Sequence, residues 1–123
     1  MRLVADIAVI FVALLHVAFL VLEMFLWTKP FGRRTFGLSR ELAEASRGLA
    51  MNQGLYNGFL AAGLIWGVIA GEGGFAIKVF FLACVIVAGI FGAITAKRSI
   101  LFVQALPGLI ALILVWVTFR GIR

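Results

Sequence analysis

The chain has 123 residues and a net charge of +6, with 64% of residues hydrophobic and only 13% charged. Its mean hydropathy is +1.18. A soluble domain of this size exposes too much surface to be covered by so few charges, so a lipid bilayer is the solvent that fits. The basic balance does not point to nucleic acid, because the lysines and arginines lie at segment ends and in one loop, where they suit membrane topology and anionic headgroups.

The expected fold is all-α, an integral membrane bundle of four spanning helices in one domain over residues 1–123. A span needs about 20 mostly apolar residues. The first covers residues 3–27. It begins as a signal peptide would, with Arg2 ahead of an apolar run. However, Asp6 interrupts the start, the run exceeds the roughly 7–15 residues of a signal core, and no small-residue cleavage site follows. Thr28-Lys29-Pro30 ends the span, because proline lacks an amide hydrogen and restricts the residue before it.

Residues 28–48 form the one substantial loop. Ser39 is placed to cap a short helix there, with Glu41 and Glu44 in its early turns. That helix either lies on the surface or runs straight into the second span, residues 49–70. Gly71-Glu72-Gly73-Gly74 makes a tight turn into the third span, residues 75–96. The lone cysteine, Cys84, lies in that span and has no partner for a disulfide. Lys97-Arg98-Ser99 is a short hairpin to the fourth span, residues 100–119, in which Pro107 is expected to kink the helix. The apolar runs do not alternate, which argues against membrane strands. Glycine pairs at Gly54/Gly58, Gly63/Gly67 and Gly89/Gly92 mark close helix packing. Trp27 and Trp116 lie near opposite span ends, as interface anchors do.

Four crossings place both termini on one side. The other side holds seven basic residues (Lys29, Arg33, Arg34, Arg40, Arg47, Lys97, Arg98), against four on the terminal side (Arg2, Lys78, Arg120, Arg123). The positive-inside rule then makes the loop side of this multi-pass protein cytoplasmic, with both termini outside.

Polar residues set into this apolar sequence mark the candidate site. Glu23 lies four residues before Trp27, about 6 Å inside the loop-side end. Asn52, Gln53 and Gln104 fall at similar depth, Tyr56 and Asn57 about one turn deeper, and His16 near mid-membrane. His16 and Glu23 share a helix face, and Asn52/Tyr56 and Gln53/Asn57 stack at i,i+4 spacing. If these faces meet, Glu23 is expected to accept from Asn52, Gln53 or Tyr56. Lys97, Arg98 or a loop arginine is the alternative partner. One histidine, one cysteine and scattered carboxylates do not make a metal site, and no cofactor fingerprint appears.

The stretches Leu22-Glu23-Met24-Phe25-Leu26-Trp27 and Ala50-Met51-Asn52-Gln53-Gly54-Leu55-Tyr56-Asn57-Gly58-Phe59-Leu60-Ala61 resemble a family of small bacterial four-helix membrane proteins catalogued as a domain of unknown function. The resemblance covers nearly the whole chain. It implies an integral membrane protein marked by His16, Glu23, Asn52, Gln53, Tyr56 and Asn57, and it supplies no activity. A looser likeness is to the small multidrug resistance family, whose four-span dimers exchange protons for cations at one glutamate. That family places its glutamate near mid-span and has a shorter first loop, so the likeness is one of architecture.

Three readings of function follow. In the first, Glu23 binds a proton, a cation or a small molecule in a polar vestibule, and a homodimer helps to enclose the path. In the second, an intramembrane enzyme uses His16 and Glu23 as an acid-base pair on a lipid-soluble small molecule, with Tyr56, Asn52 and Asn57 orienting it. In the third, a structural or accessory subunit uses the polar layer as interhelical glue.

Overall fold

A computed structural model describes residues 1–122, and these are almost entirely helical. The elements in chain order are α1 (Arg2–Met24), α2 (Pro30–Phe36), α3 (Arg40–Ile69), a 3-10 turn (Gly71–Gly74), α4 (Phe75–Thr95), a π-helical segment (Leu101–Ala105) and α5 (Leu106–Ile122). Among the described residues, three stretches are long and apolar enough to cross a membrane: Arg2–Met24, Gly71–Thr95 and Leu101–Gly121. The 30-residue α3 is not among them. Arg40, Glu41, Glu44 and Arg47 crowd its start, and Asn52, Gln53 and Asn57 follow. Residue contacts group the chain into two compact units. One is His16–Phe59; the other is Met1–Leu15 together with the chain from Leu60 on.

In the unit His16–Phe59, α1 stops at Met24, earlier than the expected Trp27. The Phe25 and Leu26 amides both turn back onto the Val21 carbonyl, at 3.0 and 3.2 Å, and so close the helix. Pro30 then opens α2, at a position where a missing amide hydrogen is no loss. Gly37 ends α2 in the left-handed region at φ 66°, which lets the Leu38 amide reach the Arg33 carbonyl at 2.8 Å. The segment expected as a loop is therefore largely helical. Ser39 does cap, its Oγ accepting from the Leu42 amide at 3.1 Å, and the helix it starts runs without a break through the expected second span. Trp27 lies beyond the helix end and ties this connection together. Its Nε1 donates to Ser46 Oγ at 3.0 Å, and its ring packs against Phe36 at 4.9 Å.

The second unit holds an apolar core that includes Val9, Val12, Leu64, Leu82, Val85 and Ala111. Gly89 of α4 meets the π segment so closely that an added Cβ would lie 2.6 Å from the Ala105 backbone nitrogen. The π segment also answers the question of Pro107. In an α-helix Pro107 would crowd the Val103 carbonyl and leave it without its donor. Here the turn before the proline is widened, and the Leu106 amide bonds five residues back to the Leu101 carbonyl. The proline expected to kink the span is thus preceded by a π segment.

These packing differences separate two glycines. Gly48→Ala, in α3 with open space around it, should raise stability by up to ~1 kcal/mol through helix propensity. Gly89→Ala should lower it by about 1–3 kcal/mol despite the same propensity gain, because backbone must shift to admit the methyl group. Unfolding midpoints in mild detergent check both signs.

Candidate functional site

The site begins with two glycines. A Cβ at Gly54 would sit 2.5 Å from Met24 Cγ and 3.2 Å from both Glu23 Cβ and the Leu20 carbonyl oxygen. One at Gly58 would sit 2.8 Å from Leu20 Cδ1. The spacing expected to mark helix packing therefore brings α3 against the last turn of α1. Asn57 lies between the two glycines. At about 100° per residue it falls on their face, whereas Asn52 and Tyr56 fall nearly opposite. Asn57 Nδ2 accordingly donates to Glu23 Oε1.

This corrects the expected partner of Glu23. Asn52 Nδ2 donates instead to Tyr56 Oη at 3.0 Å, a bond along one helix between two exposed side chains. Gln53 is also exposed. Asn57 and Glu23 are half-buried. His16 is fully buried, with the Phe19 ring edge-on at 5.2 Å. It lies seven residues before Glu23, roughly 10 Å along the helix axis, which is beyond a direct hydrogen bond. Gln104 sits half-buried in the π segment of the other unit. Of the expected residues, the structure thus joins Glu23 to Asn57 and Asn52 to Tyr56.

A second polar group was not singled out in the sequence. Lys78, counted there as a terminal-side charge, is only 7% exposed. Its Nζ lies 3.3 Å from Asp6 Oδ1, and Arg2 Nε lies 4.0 Å from Asp6 Oδ2. The available signal was Lys78 itself, an ionisable residue one turn into an apolar span, together with Asp6 near the start of another. Gly67 makes room for it; a Cβ there would lie 2.5 Å from Lys78 Cγ. Among the described residues, no group of three or more His, Cys, Asp or Glu side chains is placed to hold a metal ion.

The fold and this site define an all-helical protein of membrane type, with apolar spanning-length helices and a carboxylate-amide pair at the junction of two of its helices. The chain belongs to the family described as "Protein of unknown function (DUF1304)", which matches residues 10–116. It is also similar to the uncharacterized protein YpaA of Lactococcus lactis subsp. lactis (strain IL1403), with 29% identity over 115 residues, covering 92% of this chain and 97% of that protein. No solved structure matches the chain.

Removing Asn57 should leave a partly buried carboxylate without its donor. We expect Asn57→Leu to lose about 1–3 kcal/mol of stability, and Asn52→Leu, at an exposed bond, to change it by less than ~0.5 kcal/mol. Denaturation of the two purified variants beside the parent protein would show the difference.

Proposed function

We propose that this is a four-span protein of the bacterial inner membrane in which Glu23 is the binding carboxylate for a proton, a cation or the cationic end of a small molecule. One observation carries the reading. Glu23 is held by a neutral amide. The ion pairs found among the described residues both fall on Asp6. A carboxylate that served only as a strut would sit against a lysine or arginine. This one has its geometry fixed by Asn57 and its charge left for a ligand. The exposed Asn52, Gln53 and Tyr56 add donors and acceptors on another face of α3, where a second copy of the chain or a polar substrate can use them. The acid-base reading is less well supported, because His16 is sealed from solvent and stands about two turns from Glu23.

In this arrangement α3 is the fourth crossing, and residues 28–48 face the cytoplasm. Arg34→Cys in a Cys84→Ala background should resist an impermeant thiol reagent applied to intact cells and react after lysis. Ready labelling from outside would reverse the orientation.

Glu23→Gln keeps the shape of the side chain and removes its charge. We expect the variant to fold but to lose any small molecule that native mass spectrometry finds on the gently extracted parent protein. We also expect it to lose proton-coupled cation flux in proteoliposomes. A folded variant that keeps both would overturn the binding role. Failure to fold, matched by equal failure of a Lys97→Gln, Arg98→Gln double variant, would make Glu23 an ion-pair strut.

A further inference from the structure

A cavity of about 40 Å³ opens where Arg2 and Ala5 of α1, Gly71 and Glu72 of the 3-10 turn, Lys78 of α4 and Thr118 of α5 meet. It lies wholly within the unit that contains both ends of the chain. A water needs roughly 10–15 Å³ by the same measure, so the space suits about three waters or one small oxyanion.

Three donor side chains, Arg2, Lys78 and Thr118, stand in an otherwise largely apolar lining that also carries Glu72. Lys78 is 7% exposed and gives one contact to Asp6, at 3.3 Å, which leaves further ammonium protons. Arg2 is only loosely engaged with Asp6, at 4.0 Å, and its guanidinium lies over the glycine turn; a Cβ at Gly71 would fall 2.8 Å from Nη2. Thr118 is 7% exposed, and its Oγ1 is buried and paired with no group among the described residues.

That unpaired hydroxyl is out of pattern. Threonine in a helix ordinarily donates to the carbonyl four residues back. Thr35 does so to Phe31 at 2.7 Å and Thr95 to Phe91 at 2.8 Å. Thr118 does not, and its hydroxyl stays available to whatever fills the cavity. Phe75 and Phe119, stacked at 3.8 Å, form an apolar part of the lining. The two cations face two carboxylates, so the site offers a surplus of N–H donors rather than of charge. Asp6 is already engaged with Lys78, and Glu72 is exposed at the turn, where water and salt screen it.

The geometry points to a binding site for a phosphate-class oxyanion, held by the Arg2 guanidinium, the Lys78 ammonium and the Thr118 hydroxyl. Because the cavity lies at the end of spanning helices, that oxyanion can come from a phospholipid headgroup or from free phosphate. The full chain in a non-ionic detergent tests this. Unfolding midpoints are measured with sodium phosphate against sodium chloride at equal ionic strength, and with added phosphatidylglycerol against phosphatidylcholine. Each is repeated for Thr118→Val and Arg2→Gln. Thr118→Val is isosteric and removes an unpaired buried hydroxyl, so it should fold at least as well as the parent. A rise with phosphate that falls by half or more in both variants identifies free oxyanion binding. A rise confined to phosphatidylglycerol, with the same loss, identifies a headgroup site. No rise beyond the controls overturns the proposal, as does a rise of equal size in the parent and both variants, which would be the general stabilising effect of the salt or lipid.

Discussion

The backbone approach of α3 to α1 at Gly54 is the constraint on which the rest of the polar site depends. Away from water an amide and a carboxylate each need a partner in the protein. A methyl group at position 54 would press on Met24 Cγ at 2.5 Å and on the Leu20 carbonyl and Glu23 Cβ at 3.2 Å, so its neighbours would have to give way. Glycine inside a helix costs about 1 kcal/mol relative to alanine. Close packing and a hydrogen bond to a charged group, typically about 1.5–3 kcal/mol, offset that. Moving the helices apart by the width of a methyl group would remove Asn57 from Glu23 and leave both groups half-buried and unpaired.

The molecule treats its carboxylates within spanning-length helices in two ways. Asp6 sits between Arg2 and Lys78, and its charge is compensated by the protein. Glu23 is positioned by an amide that carries no charge. In a low-dielectric medium the first arrangement is self-sufficient and the second is not. That contrast favours a ligand or a proton at Glu23 over a purely structural part. The Asp6 end has its own surplus in donors, since Lys78 and Arg2 together present more N–H groups than one aspartate can accept.

Much of this was legible in the sequence, and for physical reasons. Hydropathy marked the apolar helices, Ser39 the start of α3 and the glycine turn at residues 71–74 the passage into α4, while Pro30 opens α2 and α1 closes earlier, at Met24. The glycine pairs marked where helices close on one another. Glu23 and Asn57 were both singled out, but not as partners. Depth along the helix leaves Asn52, Gln53 and Tyr56 as good a match to Glu23 as Asn57; only the face set by the packing glycines selects Asn57. The Gly54/Gly58 face already pointed to Asn57, since all three residues lie within one side of the helix. In the sequence alone, Lys78 has the look of an exposed topological charge, because it follows a turn. Its burial depends on Gly67 and Asp6, which are remote in sequence. The π segment was not readable, since Pro107 announces a disturbance and the packing at Gly89 and Ala105 decides its form.

The central claim is that Glu23 is anchored by Asn57 and, among the described residues, by no cation. A double-mutant cycle tests it most directly, pairing Glu23→Gln in turn with Asn57→Leu and with Lys97→Gln, each read as unfolding free energy in one detergent. A coupling of about 1–3 kcal/mol with Asn57 and less than ~0.5 kcal/mol with Lys97 is the expected result. Coupling to Lys97 with none to Asn57 would contradict the account.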